Sequence, residues 1–189
     1  MAVNLQLNAR IVAWLRQRPL GIRHGNGECW TLAEDALLAQ RARTSRQLTR
    51  RFSAHADYVW GEAEPSLSAI VPGDIIQMRG YRVRKTVIVR DALTGPGGRV
   101  RHEQVLRQPH HTAIVLGVVV PGRLVEVIEQ NVPMPGSTRP DRLVQINRFA
   151  LVSCDGPSER RLSDLGDPET VTTRYAVLGG RIRVYHPQL

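Results

Sequence analysis

Apolar residues near the start of the chain recur at helical spacing. Leu32, Ala33, Ala36 and Leu37 stand at i+3, i+4, i+7 and i+8 from Cys29, so all five share one face. This predicts a helix from near Glu28 to about Arg43, entered from the glycine-punctuated loop His24-Gly25-Asn26-Gly27. An earlier helix is predicted over residues 3–17, with Val3, Leu7, Val12 and Leu15 on its buried side and Pro19-Leu20-Gly21 ending it. A short helix or loop follows through Arg50 and Phe52, and Tyr58-Val59-Trp60-Gly61 closes the helical half.

From Val71 the pattern changes to strands. Pro72-Gly73-Asp74 reads as a turn that leads out into Ile75-Ile76-Gln77-Met78. Thr86 to Val89 and Val100 to Leu106 read as a basic hairpin around Thr94-Gly95-Pro96-Gly97-Gly98. Thr112 to Val120 is a β-branched apolar strand that Pro121-Gly122 turns back into Leu124 to Glu129. Leu143 to Leu151 is a further strand, residues 153–170 read as a loop, Val171 to Val177 carries no clear period, and Arg181 to Tyr185 is a closing strand. Helices followed by an antiparallel meander define an α+β fold, and no linker divides residues 1–189, so one domain is expected.

Composition narrows this picture. The 189 residues are 42% hydrophobic, enough for a core, and no apolar run approaches the ~20 residues of a membrane helix. Asn4, Gln6, Asn8 and Arg10 interrupt any secretory h-region. The first amphipathic segment is therefore read as a structural helix ahead of a mitochondrial presequence. The expected location is the cytoplasm, or outside the cell by a route without a signal peptide.

Net charge is +9, and all but one of the 26 basic residues are arginine, many between Arg79 and Arg107. Such a face is either a solvated surface or an attractor of nucleic acid, an acidic cell-wall polymer or an acidic substrate or partner, so a basic nucleic-acid-binding protein stands as a further reading. Aromatics are 5% of the chain and only Tyr81 interleaves with the arginines, which weighs against a stacking platform for nucleic acid. The two cysteines, Cys29 and Cys154, form no CxxC or Cys/His ligand spacing, so neither a metal nor a cofactor is expected.

The candidate chemistry lies in three places. Cys29 sits at a helix start, where unpaired N–H groups and the helix dipole stabilise a thiolate. The competing reading is a small core cysteine on the Leu32 and Ala36 face. His110 and His111 open a strand and face opposite ways. A three-residue loop at Pro121-Gly122 pairs Val119 with Arg123, and so sets His111 opposite Asn131 and Ala113 opposite Glu129. A two-residue loop shifts the register by one and brings in Gln130. Asn131, with Glu129 next, is thus the expected partner that fixes the imidazole. The Cys29 N–H would serve an oxyanion, with Asn26 or His24 as second donor.

These pieces resemble the CHAP and NlpC/P60 cysteine peptidases, compact papain-like folds of bacterial wall amidases and endopeptidases. Cys29, Gly73-Asp74-Ile75-Ile76 and His111-Thr112-Ala113-Ile114-Val115 match the helix cysteine, first strand and histidine strand of that pattern, and Glu129-Gln130-Asn131 looks like its Glu-x-Asn strand end. Gly27-Glu28-Cys29-Trp30-Thr31-Leu32-Ala33, the His110 and Glu129 segments and Val184-Tyr185-His186-Pro187 are similar to the cysteine-proteinase-fold domain of fungal actin-patch proteins that bind myosin tails. The resemblance implies N-terminal helices packed on a small barrel-like antiparallel sheet. It also implies a thiol hydrolase acting on a peptide, amide or isopeptide bond, with Cys29 as nucleophile and His111 as base and acid. The alternative it carries is a catalytically idle module that binds a protein. Trp30-Thr31 departs from the wall-amidase signatures, so the substrate class does not follow.

Overall fold

The computed structural model describes residues 3–53, 56–133 and 140–189. Helix α1 spans Leu5–Arg16, with the Asn4 side-chain oxygen accepting the Leu7 N–H at 3.0 Å. It buries Leu7, Asn8, Ile11 and Leu15, so Ile11 takes the inward place expected for Val12. Helix α2 spans Cys29–Ala39 and stops short of the predicted Arg43; it buries Leu32, Ala33, Ala36 and Leu37. A single turn, α3 (Ser45–Leu48), starts on a capping box made by Thr44 and Gln47. No helix among the described residues is long and apolar enough to cross a membrane.

The sheet is built on three long strands. Strand β1 is Glu62–Glu64, β2 is Ile75–Arg90, β3 is Arg99–Val120, β4 is Leu124–Glu129, β5 is Val132–Pro133 and β6 is Pro140–Asp141. Then follow β7 (Gln145–Ala150), β8 (Cys154–Asp155), β9 (Glu159–Leu162) and β10 (Pro168–His186). The hydrogen-bonded order is β1-β10-β2-β3-β4-β7, all antiparallel, with β8 and β9 on the outer edge of β10 and β5 paired to β6.

The basic hairpin is continuous with the strands that flank it: β2 and β3 run through it, and His111 lies within β3 instead of opening it. Residues 153–170, expected as a loop, contain β8 and β9. Val171 to Val177 and the closing strand are one β10. Among the described residues the path does not close, so an open, curled sheet stands where a barrel was expected. The curl is tight: Tyr81 on β2 and Phe149 on β7 are separated by two strands, yet their rings lie 4.6 Å apart and the Tyr81 hydroxyl donates to the Ala150 carbonyl at 2.7 Å.

Strand alternation divides the core in two. Ile75, Ile114 and Ile128 face the helices and pack with Leu7, Leu32, Leu37 and Trp60. Ile76, Met78, Ala113, Val115 and Val127 face into the curl with Tyr81, Phe149 and Tyr175. Asp74 ties the first strand to both ends of the chain. Its carboxylate accepts from the Val71 N–H (2.9 Å), Asn8 Nδ2 (2.9 Å) and His186 Nδ1 (2.8 Å), a set that makes its turn rigid.

Candidate active site at the start of helix α2

Cys29 is the first residue of α2 and is partly exposed. The preceding loop holds it there through local bonds. The Asn26 side-chain oxygen accepts from the Glu28 N–H (3.0 Å) and the Thr31 hydroxyl (2.6 Å). Gly27, at φ +83, makes the bend before Glu28, and a Cβ there would meet Arg142 Cβ at 2.6 Å.

Buried Gln130 fastens the loop from the sheet side. Its Oε1 accepts the His24 N–H (3.3 Å), and its Nε2 donates to the carbonyls of His24 (3.2 Å) and Glu28 (2.7 Å). The Glu28 carboxylate turns outward to Asn131 Nδ2 (2.9 Å) and Arg142 (3.3 Å).

The sheet brings His111 to the sulfur. β4 ends at Glu129, so its ladder with β3 stops at Ile114–Ile128. The edge of β3 at residues 110–113 is thus left open on that side, and α2 docks over it. The Thr112 N–H and the His111 ring both lie against the Cys29 sulfur and stabilise its anion. His111 Nε2 donates to Glu129 Oε2 at 2.8 Å, which leaves Nδ1 for Cys29. Asn147 Nδ2 holds the other Glu129 oxygen at 2.9 Å. Beneath the strand, Gln77 donates to the His111 carbonyl (3.1 Å) and accepts from Trp60 Nε1 (3.0 Å) and the Thr112 hydroxyl (2.8 Å).

Electrostatics follows from these contacts. Burial disfavours the Cys29 thiolate and Glu28 opposes it slightly. The charge and hydrogen bond of His111, with the Thr112 N–H, outweigh both and hold the thiol below its ordinary value. Burial alone would push the His111 imidazolium down, but the Cys29 charge and hydrogen bond, then those of Glu129, raise it to about 10. Each group therefore favours the charged form of the other.

Several expected residues sit elsewhere. Asn131 leaves the strand at φ +64 and binds Glu28, so Glu129 and not Asn131 contacts the imidazole. His24 is engaged through Nε2 with Asp35 at 2.9 Å and stands edge-on to Trp14, and neither His24 nor Asn26 hydrogen-bonds Cys29. Tyr58 was read only as the end of the helical half. It lies close enough to feel the Cys29 charge, and burial first and that charge second keep its phenol protonated above the ordinary range. It stacks on Phe52 and meets His110, so an aromatic wall flanks the thiol. No local sequence signal links Tyr58 or Gln130 to Cys29; both arrive through packing. Among the described residues no group of three or more His, Cys, Asp or Glu is placed to hold a metal ion.

No curated protein and no solved structure matches the chain. The model of the AIM3/BBC1 cysteine proteinase-fold domain matches residues 1–151, a span that contains Cys29, His111 and Glu129. The chain belongs to the AIM3/BBC1 cysteine proteinase-fold domain family.

Proposed function

We propose that the chain is a thiol hydrolase, a peptidase or amidase of the CHAP and NlpC/P60 kind, that cleaves an amide or isopeptide bond. The observation that carries this reading is the His111 ring, held by Glu129 at 2.8 Å and lying against the Cys29 sulfur.

The Cys29 thiolate attacks the carbonyl carbon, and the oxyanion forms against the Cys29 N–H in the unpaired first turn of α2, with the protonated Tyr58 hydroxyl as second donor. His111 gives its proton to the leaving amine, and a thioester remains on Cys29. Water then attacks the thioester while His111 takes its proton. Collapse of that intermediate releases the acid and returns the charged pair. Glu129 keeps the imidazole oriented and stabilises its cation. Arginines of the β2–β3 arm draw in an acidic substrate or partner, although several are paired internally: Arg79 to Asp57 (2.8 Å), Arg101 to Glu169 (3.1 Å) and Arg84 to Glu103 (3.7 Å).

A fluorogenic peptide-amide library tests the reading. Turnover that disappears in Cys29→Ala and His111→Ala, both still folded, is the expected result. Turnover that survives Cys29→Ala contradicts it. A wild-type chain with an activated thiol, no turnover, and retained protein binding in Cys29→Ala would replace hydrolysis with the binding-module reading.

A further inference from the structure

The inner face of the curled sheet encloses a partly open cavity of about 260 Å³, bounded by β2, β3, β4, β7 and β10. At ~30 Å³ for each water-sized unit this is room for roughly nine non-hydrogen atoms. Its body is apolar, with Tyr81, Leu106 and Phe149 on the wall, and Tyr81 has its hydroxyl already committed to Ala150.

Into this cavity projects Lys85, the single lysine of a chain whose other basic residues are all arginine. Lys85 is half-buried, and its Nζ makes no hydrogen bond or ion pair among the described residues. The Tyr175 ring lies 5.8 Å away, and the Glu129 carboxylate acts on Lys85 only through its charge. The Glu129 carboxylate also reaches the wall, but both its oxygens are occupied, one by Asn147 and one by the His111 cation. Arg148 at the rim is paired with Glu159 at 3.0 Å. Among the described residues, Lys85 thus brings an amine with no ion-pair partner to an apolar chamber.

We propose that this cavity binds a small amphipathic anion, a carboxylate with an apolar body of about seven carbons, whose head meets Lys85 and whose body lies between Tyr81, Leu106 and Phe149. Neither Cys29 nor His111 lines it, so the site lies beside the thiol centre and shares Glu129 with it. Lysine suits the place better than arginine. An arginine keeps its charge when the chamber is empty, whereas an ammonium can release its proton, and burial, only partly offset by Glu129, lowers the pKa of Lys85.

Because Lys85 carries the only ε-amine, its acylation by an activated ester, read by mass on the peptide that contains it, reports this site alone. Sodium octanoate is the probe, with octan-1-ol supplying the body without charge and sodium acetate the charge without body. Octanoate at about ten times its dissociation constant should slow acylation about tenfold and raise the melting temperature, while octanol and acetate do neither at the same concentration. The melting shift should vanish in Lys85→Met and in Leu106→Trp, which fills the apolar end; either variant, if folded, suffices. Acylation unaffected by octanoate, equal protection by acetate or by octanol, or a melting shift that persists in Lys85→Met would each overturn the proposal.

Discussion

His111 Nε2 and Glu129 Oε2 lie 2.8 Å apart although the two residues are not opposite each other across the β3–β4 hairpin. Continued past its last rung, Ile114–Ile128, the ladder sets Asn131 across from His111, and Glu129 reaches it on the diagonal. The partner that is directly opposite fails because Asn131 has turned into the left-handed region.

This geometry makes Glu129 and Asn131 separable. Glu129→Gln keeps the shape but removes the charge that helps to raise the His111 pKa. The imidazolium weakens, and the inflection in Cys29 alkylation against pH should move upward. Asn131→Ala should leave that inflection in place, since its amide serves Glu28. A shift in Asn131→Ala as large as that in Glu129→Gln would contradict the assignment.

Gln130 is the fastener of the thiol loop. Gln130→Ala removes three hydrogen bonds from a fully buried side chain and strands the His24 N–H, while the His24 and Glu28 carbonyls keep the N–H groups of Gly27 and Thr31. The expected cost is about 1–3 kcal/mol. At ~2–4 °C per kcal/mol for a chain of this size, calorimetry should show a melting drop of several degrees. Cys29 alkylation at neutral pH should fall with it. A melting point within a degree of wild type would show that the loop stands without Gln130.

The sequence made the helix–strand order legible, and with it the Cys29 and His111 settings, because periodicity and turn residues are local signals. The third residue was not legible to one position. Irregularities between Val115 and Gly117 and between Val118 and Val120 shift the pairing near the turn, so the rung beside Pro121-Gly122 is Val120–Leu124 and not Val119–Arg123. The two shifts bring the register at Ile114–Ile128 back to the one counted from the turn. The long β10 was missed for a related reason. Gly179-Gly180 separates Val171 to Val177 from Arg181 to Tyr185 in the sequence, but it is an irregularity within one strand, at φ +149 and +101. A Cβ on Gly180 would stand 2.4 Å from Tyr81 Cα, so glycine is required by the close approach of β2. Cavity formation inside the curl depends on contacts between strands far apart in sequence, and no local pattern announces it.

His186 supplies a pH-dependent staple. Its ring lies between Asp74 (2.8 Å) and Glu64 (2.9 Å); burial lowers its pKa, but the two carboxylates overcome this and raise it above the ordinary histidine value. A raised folded-state value means that the stabilisation is complete below the unfolded pKa of ~6.5 and is lost as pH rises through the folded one. Relative to wild type, His186→Gln should melt roughly 4–8 °C lower near pH 6, for a loss of about 2 kcal/mol, and the gap should narrow toward pH 9. A gap that widens with pH would reverse the sign of the linkage.

Turnover, where substrate is supplied, should follow a bell. It rises as pH climbs through the lowered Cys29 value and falls as pH passes that of His111, about 10. A single rising limb that continues through pH 10 would mean that the imidazolium proton is not used.

The central claim, a thiolate–imidazolium pair at the start of α2, is tested most directly by alkylation rate against pH at both cysteines of the same protein. Cys154 is the internal reference: burial, and then Asp155 against the opposing Arg123, leave its thiol above the ordinary value. Cys29 should inflect below the ordinary thiol range of ~8.5 and Cys154 above it, and in His111→Ala the Cys29 inflection should rise while that of Cys154 stays fixed. Two cysteines that titrate together, or a Cys29 profile unchanged by His111→Ala, would contradict the account.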